Sequence, residues 1–180
     1  MNQNSCDVLL LLSQKEIIPK KTLNTWEFFY KNVLLTNQFK NELNQIDWHE
    51  EIKIALQKIS SKFLILSPYD FICKEKMPED LIDNLDNLNA KYCRLVLRPG
   101  ILGKTEYLEF NRYKIFKLNA KKNYSINLQP SIWDKEFLLE NLNRKEIKDL
   151  SIWEFDKYFY KYIPNKDKSN CYLADFNKNL

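Results

Sequence analysis

The chain has 180 residues, 44% hydrophobic and 14% aromatic, with 28 Lys and Arg against 24 Asp and Glu for a formal charge of +4. That composition suits a single domain, 1–180, with a sizeable core, and excludes a disordered chain. Gly100 and Gly103 are its only glycines, so neither a P-loop nor a GxGxxG turn can be built, and kinase, GTPase and nicotinamide-enzyme readings fall away.

Lysines alternate with acids along most of the sequence, and no dense basic stripe of the kind that binds nucleic acid is present. The clusters at Lys20-Lys21, Lys117 to Lys122 and Lys157 to Lys168 read first as solvated surface and second as faces for phosphate or anionic lipid. Cys6, Cys73, Cys93 and Cys171 form no CxxC pair and have only His49 to join them, so reduced thiols in a cytoplasmic protein are expected, not a zinc site. The run Val8 to Leu12 is too short to span a membrane and lacks the flanks of a signal peptide. The expected location is cytoplasmic, at most peripheral at the inner face of the membrane.

In chain order, Cys6 to Ser13 has the length and continuous apolar character of a strand buried on both faces. Pro19 sits near a helix start, with Trp26, Phe29, Tyr30 and Val33 as its apolar stripe. Asn32 to Asn37 reads as a second short strand. Asp47 is placed to cap a helix over Trp48 to Ile59. Phe63 to Leu66 is a strand that should end or bend at Pro68. Pro78 opens a helix over Leu81 to Leu88, and Tyr92 to Leu97 returns as a strand. From Gly103 to Leu128 the alternation predicts paired short strands. Trp133 to Leu142 and Ile147 to Tyr162 read as helices, and the tail 164–180 as loosely packed, with Tyr172, Leu173 and Phe176 able to dock. Strands alternating with helices argue for an α/β sheet followed by an irregular strand-and-helix cap.

Ligands of an open α/β sheet bind at the carboxyl ends of its strands. The polar residues expected there are Ser13 and Gln14, Thr36 and Asn37, then Tyr69 and Asp70. Asp70 can hold a hard cation bridging phosphates, or can simply be a turn residue after proline. Glu154 and Asp156 flank Phe155 beside Trp153. A carboxylate partly desolvated by an indole gains pKa and suits general-base work. In the plainer reading Trp153 and Phe155 anchor a helix and the acids face water. Gln129 can hydrogen-bond a sugar or a base, and Trp133 offers a flat ring of the kind sugars stack on.

Four segments follow in a telling order: "WHEEIKIALQKISSKFLILSPYDFI", "AKYCRLVLRP", "INLQPSIWDKEFLL" and "IWEFD". Together they resemble bacterial glycosyltransferases of GT-A-like fold, over most of the chain from Trp48 to Asp156. The resemblance implies a mixed sheet flanked by helices, a nucleotide-sugar donor over the carboxyl edge, and transfer to a hydroxyl of a surface polysaccharide or lipid-linked glycan. It implies a divalent cation, manganese or magnesium, on the donor diphosphate with Asp70 as ligand. Arg94 or Arg98 would contact phosphate, with Ser13 at the donor. Gln129, Trp133 and Trp153 would shape the donor–acceptor pocket, and Asp156, with Glu154 behind it, would be the base. The chain departs from the family at "SPYD", where Ser67 and Pro68 stand in place of acids. The alternative function is therefore a catalytically inactive nucleotide-sugar- or carbohydrate-binding homologue acting as a partner subunit.

Overall fold

The structure is a computed structural model that describes residues 6–12, 18–36, 48–96, 106–120 and 124–176. Within these residues eight strands form one sheet in the order β2-β1-β3-β7-β4-β8-β6-β5. The strands are β1 (Asp7–Leu11), β2 (Val33–Leu35), β3 (Phe63–Pro68), β4 (Tyr92–Arg94), β5 (Tyr107–Glu109), β6 (Tyr113–Lys117), β7 (Ser131–Asp134) and β8 (Cys171–Phe176). The helices are α1 (Lys20–Phe29), α2 (Trp48–Leu56), α3 (Leu81–Asn87), α4 (Lys135–Leu142), α5 (Lys145–Lys148), α6 (Ile152–Tyr162) and α7 (Asn165–Lys168). This is a mixed α/β sheet flanked by helices.

Strand direction defines the carboxyl edge of the sheet. β1 pairs in parallel with β2 and β3, β7 runs antiparallel between β3 and β4, and β4 is parallel to β8. The carboxyl ends of β1, β2, β3, β4 and β8 therefore share one edge, and β7 enters the sheet from that edge at Ser131. Continuous apolar strands need cover on both faces, and β1 and the first five residues of β3 are buried throughout. On one face Leu9, Leu64, Leu66, Tyr92 and Trp133 meet α2, α4 and α6. On the other, Val8, Leu10, Ile65, Cys93 and Ile132 meet α1 and α3. Each fully buried aliphatic side chain of this kind contributes about 1.5–3 kcal/mol.

Four sequence expectations differ from what is observed. Val33 belongs to β2 and not to the α1 stripe, because the helix ends where Tyr30 turns extended (φ −129°, ψ 136°). Trp133 lies in a central strand, and the helix expected from it begins only at Lys135, where Asp134 caps it by accepting from Phe137 N at 2.8 Å. The helix expected over Ile147 to Tyr162 is two, α5 and α6, because Ser151 adopts an extended backbone (φ −64°, ψ 161°) and starts a new helix with a capping box. The tail is not loose through Phe176: Cys171–Phe176 is a strand inserted between β4 and β6, with Cys171, Leu173 and Ala174 buried. The cap proposed at Asp47 lies outside the described residues.

Candidate functional site

The site builds from β4 and β7. Residues two apart on a strand face the same way, and the register sets Tyr92 beside Trp133 and Arg94 beside Ser131, with Leu66 across Ser131 on β3. Arg94 thus occupies the last rung before the carboxyl edge, 2% exposed. Burial pulls its guanidinium below its ordinary pKa. Its Nη1 donates to the Tyr124 carbonyl at 3.3 Å.

The segment 124–130 that feeds β7 is netted to this edge. Asn127 Nδ2 also donates to the Tyr124 carbonyl (3.2 Å), and Asn127 Oδ1 accepts from Gln129 N (3.2 Å). The Tyr92 hydroxyl donates to the Asn127 carbonyl at 3.2 Å and accepts from Asn127 N at 3.3 Å. Ser131 Oγ donates to the Gln129 carbonyl at 2.6 Å and accepts from Trp133 Nε1 at 2.9 Å. Tyr124 holds a left-handed backbone, φ 60°, a conformation that costs a non-glycine residue and persists where neighbours over-determine it.

Asp156 reaches this segment from α6. Phe155 and Phe159, one turn apart, stack at 4.2 Å and pack on Trp133 at 6.4 and 5.8 Å, which fixes the rotation of α6. Trp48 adds a second anchor, edge-on to Phe155 at 5.2 Å with Nε1 donating to the Leu150 carbonyl at 2.8 Å. With that face committed, the half-buried Asp156 accepts from Leu128 N through Oδ1 at 2.7 Å. Burial raises its pKa to about 6, against the lowering effect of the Leu128 hydrogen bond. Burial also pushes the Tyr92 hydroxyl upward; the Asn127 backbone hydrogen bond and Arg94 lower it, and Asp156 raises it. Tyr92 therefore feels both Arg94 and Asp156. A carboxyl that titrates near 6 is ionised at neutral pH yet basic enough to take a proton from a hydroxyl.

The other expected residues are distributed differently. Gln129 is half-buried between Asp156's partner Leu128 and β7. Trp133 is fully buried, its ring packed by Tyr92, Phe137, Phe155 and Phe159, so it supports the site from beneath and offers no face to a sugar. Glu154 closes the capping box of α6, its Oε2 accepting from Ser151 N (2.9 Å) and Oγ (2.7 Å), and those bonds hold its pKa below the ordinary range. It is tied to the helix end and not to the β7 entry. Trp153 is 80% exposed on that same first turn. Asp70 follows β3 at the carboxyl edge and is exposed. Among the described residues, no group of three His, Cys, Asp or Glu side chains could hold a metal ion. One exposed carboxylate does not by itself fit a resident divalent cation. Ser13 and Arg98 lie outside the described residues.

Tyr92, Tyr124 and Asn127 are the site residues that sequence reasoning passed over. The period-two spacing of Tyr92 and Arg94 carried the signal, once β4 is known to end at this edge. Among the described residues no helix is long and apolar enough to cross a membrane.

No protein-family model matches the chain, and no curated protein matches it in sequence. Two solved structures are similar in their course. The bifunctional IspDF of Campylobacter jejuni is 16% identical, with a TM-score of 0.40 over 84% of this chain and 46% of that one. The 4-diphosphocytidyl-2C-methyl-D-erythritol synthase of Anaerococcus prevotii is 11% identical, with a TM-score of 0.48 over 96% of this chain and 89% of that one. The chain thus spans less than half the length of the Campylobacter protein.

Proposed function

We propose that the protein is a glycosyltransferase that moves a sugar from a nucleotide-sugar donor to a hydroxyl of a surface polysaccharide or lipid-linked glycan. The observation that carries this reading is Asp156: a carboxyl with its pKa near 6, held by Leu128 N where the chain enters β7, with Tyr92 feeling both it and the buried Arg94. In this reading Asp156 takes the acceptor proton as the new glycosidic bond forms at the sugar's anomeric carbon and the nucleoside diphosphate departs. Arg94, a few ångströms inside the edge, supplies positive charge toward that leaving group and holds the Tyr124 turn in place. Gln129 hydrogen-bonds a sugar hydroxyl or a base. Asp70, at the same edge, is the acid placed to meet a cation that arrives with the donor's phosphates.

The test is a thermal-shift screen against nucleotide sugars, with and without manganese, followed by turnover assays. A ligand that binds only the folded state raises Tm with the logarithm of its excess over Kd. One donor should shift Tm, and Asp156→Asn should cut transfer by roughly two to four orders of magnitude while keeping that shift. A shift lost in Asp70→Asn only when manganese is present would assign Asp70 to a donor-bound cation. Absence of a shift with every donor overturns the transferase reading. A shift without turnover would make the chain a binding partner subunit.

A further inference from the structure

A cavity of about 660 Å³ opens on the face of the sheet that α1 and α3 cover, with Pro130 in its lining. That volume falls in the range of small-molecule sites. Its apolar lining includes Trp26 from α1, Tyr30 just after it, Ile65 from β3, Leu95 after β4, and Phe176 at the end of β8. The segment 71–78 forms the outer wall. Three hydrogen bonds fasten that wall to α1: Trp26 Nε1 to the Phe71 carbonyl at 2.8 Å, Cys73 N to Thr25 Oγ1 at 3.3 Å, and Met77 N to the Tyr30 hydroxyl at 3.3 Å. The cavity is thus a built feature, with both its floor and its wall tied into the fold.

Its charge is one-sided. Among the described residues, Lys74, Lys76 and Arg112 line it against one acid, Glu75. Lys76 is engaged by Glu79 at 3.3 Å, which leaves the exposed Lys74 and Arg112 as the cations offered to a ligand. Apolar walls with a cationic rim fit neither a free sugar nor a bare inorganic ion. We infer that this cavity binds an amphipathic anion, with an apolar body seated among Trp26, Ile65, Leu95 and Phe176 and a phosphate or carboxylate head held by Lys74 and Arg112. Pro130 lines the cavity, and its neighbour two residues back, Leu128, holds Asp156. At most about 7 Å of backbone separates the two positions. The assignment of the occupant as the acceptor, passing its hydroxyl over Gln129 to Asp156, rests on the transferase reading; the binding itself does not.

The probe is geranyl monophosphate, titrated calorimetrically into the full chain below its micelle-forming concentration, beside geraniol and inorganic phosphate. Geranyl phosphate should bind at least about tenfold more tightly than geraniol, the margin of one charge-assisted hydrogen bond, and phosphate alone should not bind. The double variant Lys74→Gln/Arg112→Gln, which alters only exposed side chains, should bring geranyl phosphate down to the affinity of geraniol. Val96→Trp, which fills the cavity from the end of β4, should remove both. Equal affinity for geraniol, equal affinity for free phosphate, binding that survives Val96→Trp in a folded protein, or displacement of geranyl phosphate by a nucleoside diphosphate would each overturn the inference. No donor or turnover enters the measurement, and Asp156→Asn should bind geranyl phosphate as wild type does. Failure here therefore leaves the transferase reading standing, and failure of that reading leaves the cavity.

Discussion

Ser131-Ile-Trp-Asp and Ser151-Ile-Trp-Glu are nearly the same tetrapeptide, and both stand at the start of a helix. The first is the central strand β7 with its tryptophan fully buried; the second is the cap and first turn of α6 with its tryptophan 80% exposed. What differs is which residue caps. In β7 the acid is the N-cap, Asp134 accepting from Phe137 N, so the tetrapeptide lies before the helix. In α6 the serine is the N-cap and Glu154 reaches back to Ser151 N, so the tetrapeptide lies within it. The extra methylene of glutamate matters, because the reciprocal capping box asks for Glu or Gln at that place. Neighbours complete the choice: Pro130 steers Gln129 away from helical backbone, and β3 and β4 both offer rungs to Ser131–Asp134.

The largest effect that can break this comparison is on the two indoles. Trp133→Ala should destabilise the protein by about 3–5 kcal/mol, the cost of emptying a large core site. Trp153→Ala should stay within about 0.5 kcal/mol, as exposed positions do. Urea unfolding of both variants measures the contrast, and equal losses would mean that α6 buries its first turn against something. The caps come next. Asp134→Ala should cost about 2 kcal/mol, because it removes a cap in a buried position together with the 3.5 Å pair to Lys91. Ser151→Ala, at an exposed cap, should cost about 1 kcal/mol. A reversed order would show that α6 depends on its cap more than α4 does.

The same contrast explains what was legible. The first three strands could be read, because β1 and β3 are apolar runs and β2 sits beside them with turn residues around it. Strand β7 could not, because Trp133-Asp-Lys-Glu-Phe has helical spacing and only the rungs of β3 and β4 override it. β8 was hidden for a related reason: Cys171 to Phe176 follows a Lys- and Asn-rich stretch, and its burial depends on β4 and β6, far away in sequence. Missing β7 misplaced Trp133, which composition alone made a stacking platform. Asp156 was legible as an acid beside aromatics, whereas its holding residue Leu128 was not, since a backbone N–H leaves no mark on a sequence.

Glu154 and Asp156 sit two residues apart and titrate in opposite directions, the first lowered by Ser151 and the second raised by burial to about 6 from an ordinary 3.8. A carboxyl whose folded pKa is raised costs stability when ionised. Above about pH 6 the folded chain carries that buried charge in full. Between about pH 6 and 4 it takes up a proton that the unfolded chain does not, so stability attributable to this group rises as pH falls. Asp156→Asn imitates the protonated state and still accepts from Leu128 N. It should therefore stabilise the protein at pH 7.5, on the order of 1 kcal/mol after allowance for the side chain's partial exposure, with the gain fading by about pH 4. On the transferase reading, wild-type transfer should climb with pH through about 6 as the same carboxyl ionises. A variant that is more stable and inactive would mark Asp156 as a residue kept for chemistry at the expense of the fold. A variant less stable at pH 7.5 would mean that other groups around Asp156 favour its charge, and the physical case for it as the base would be lost.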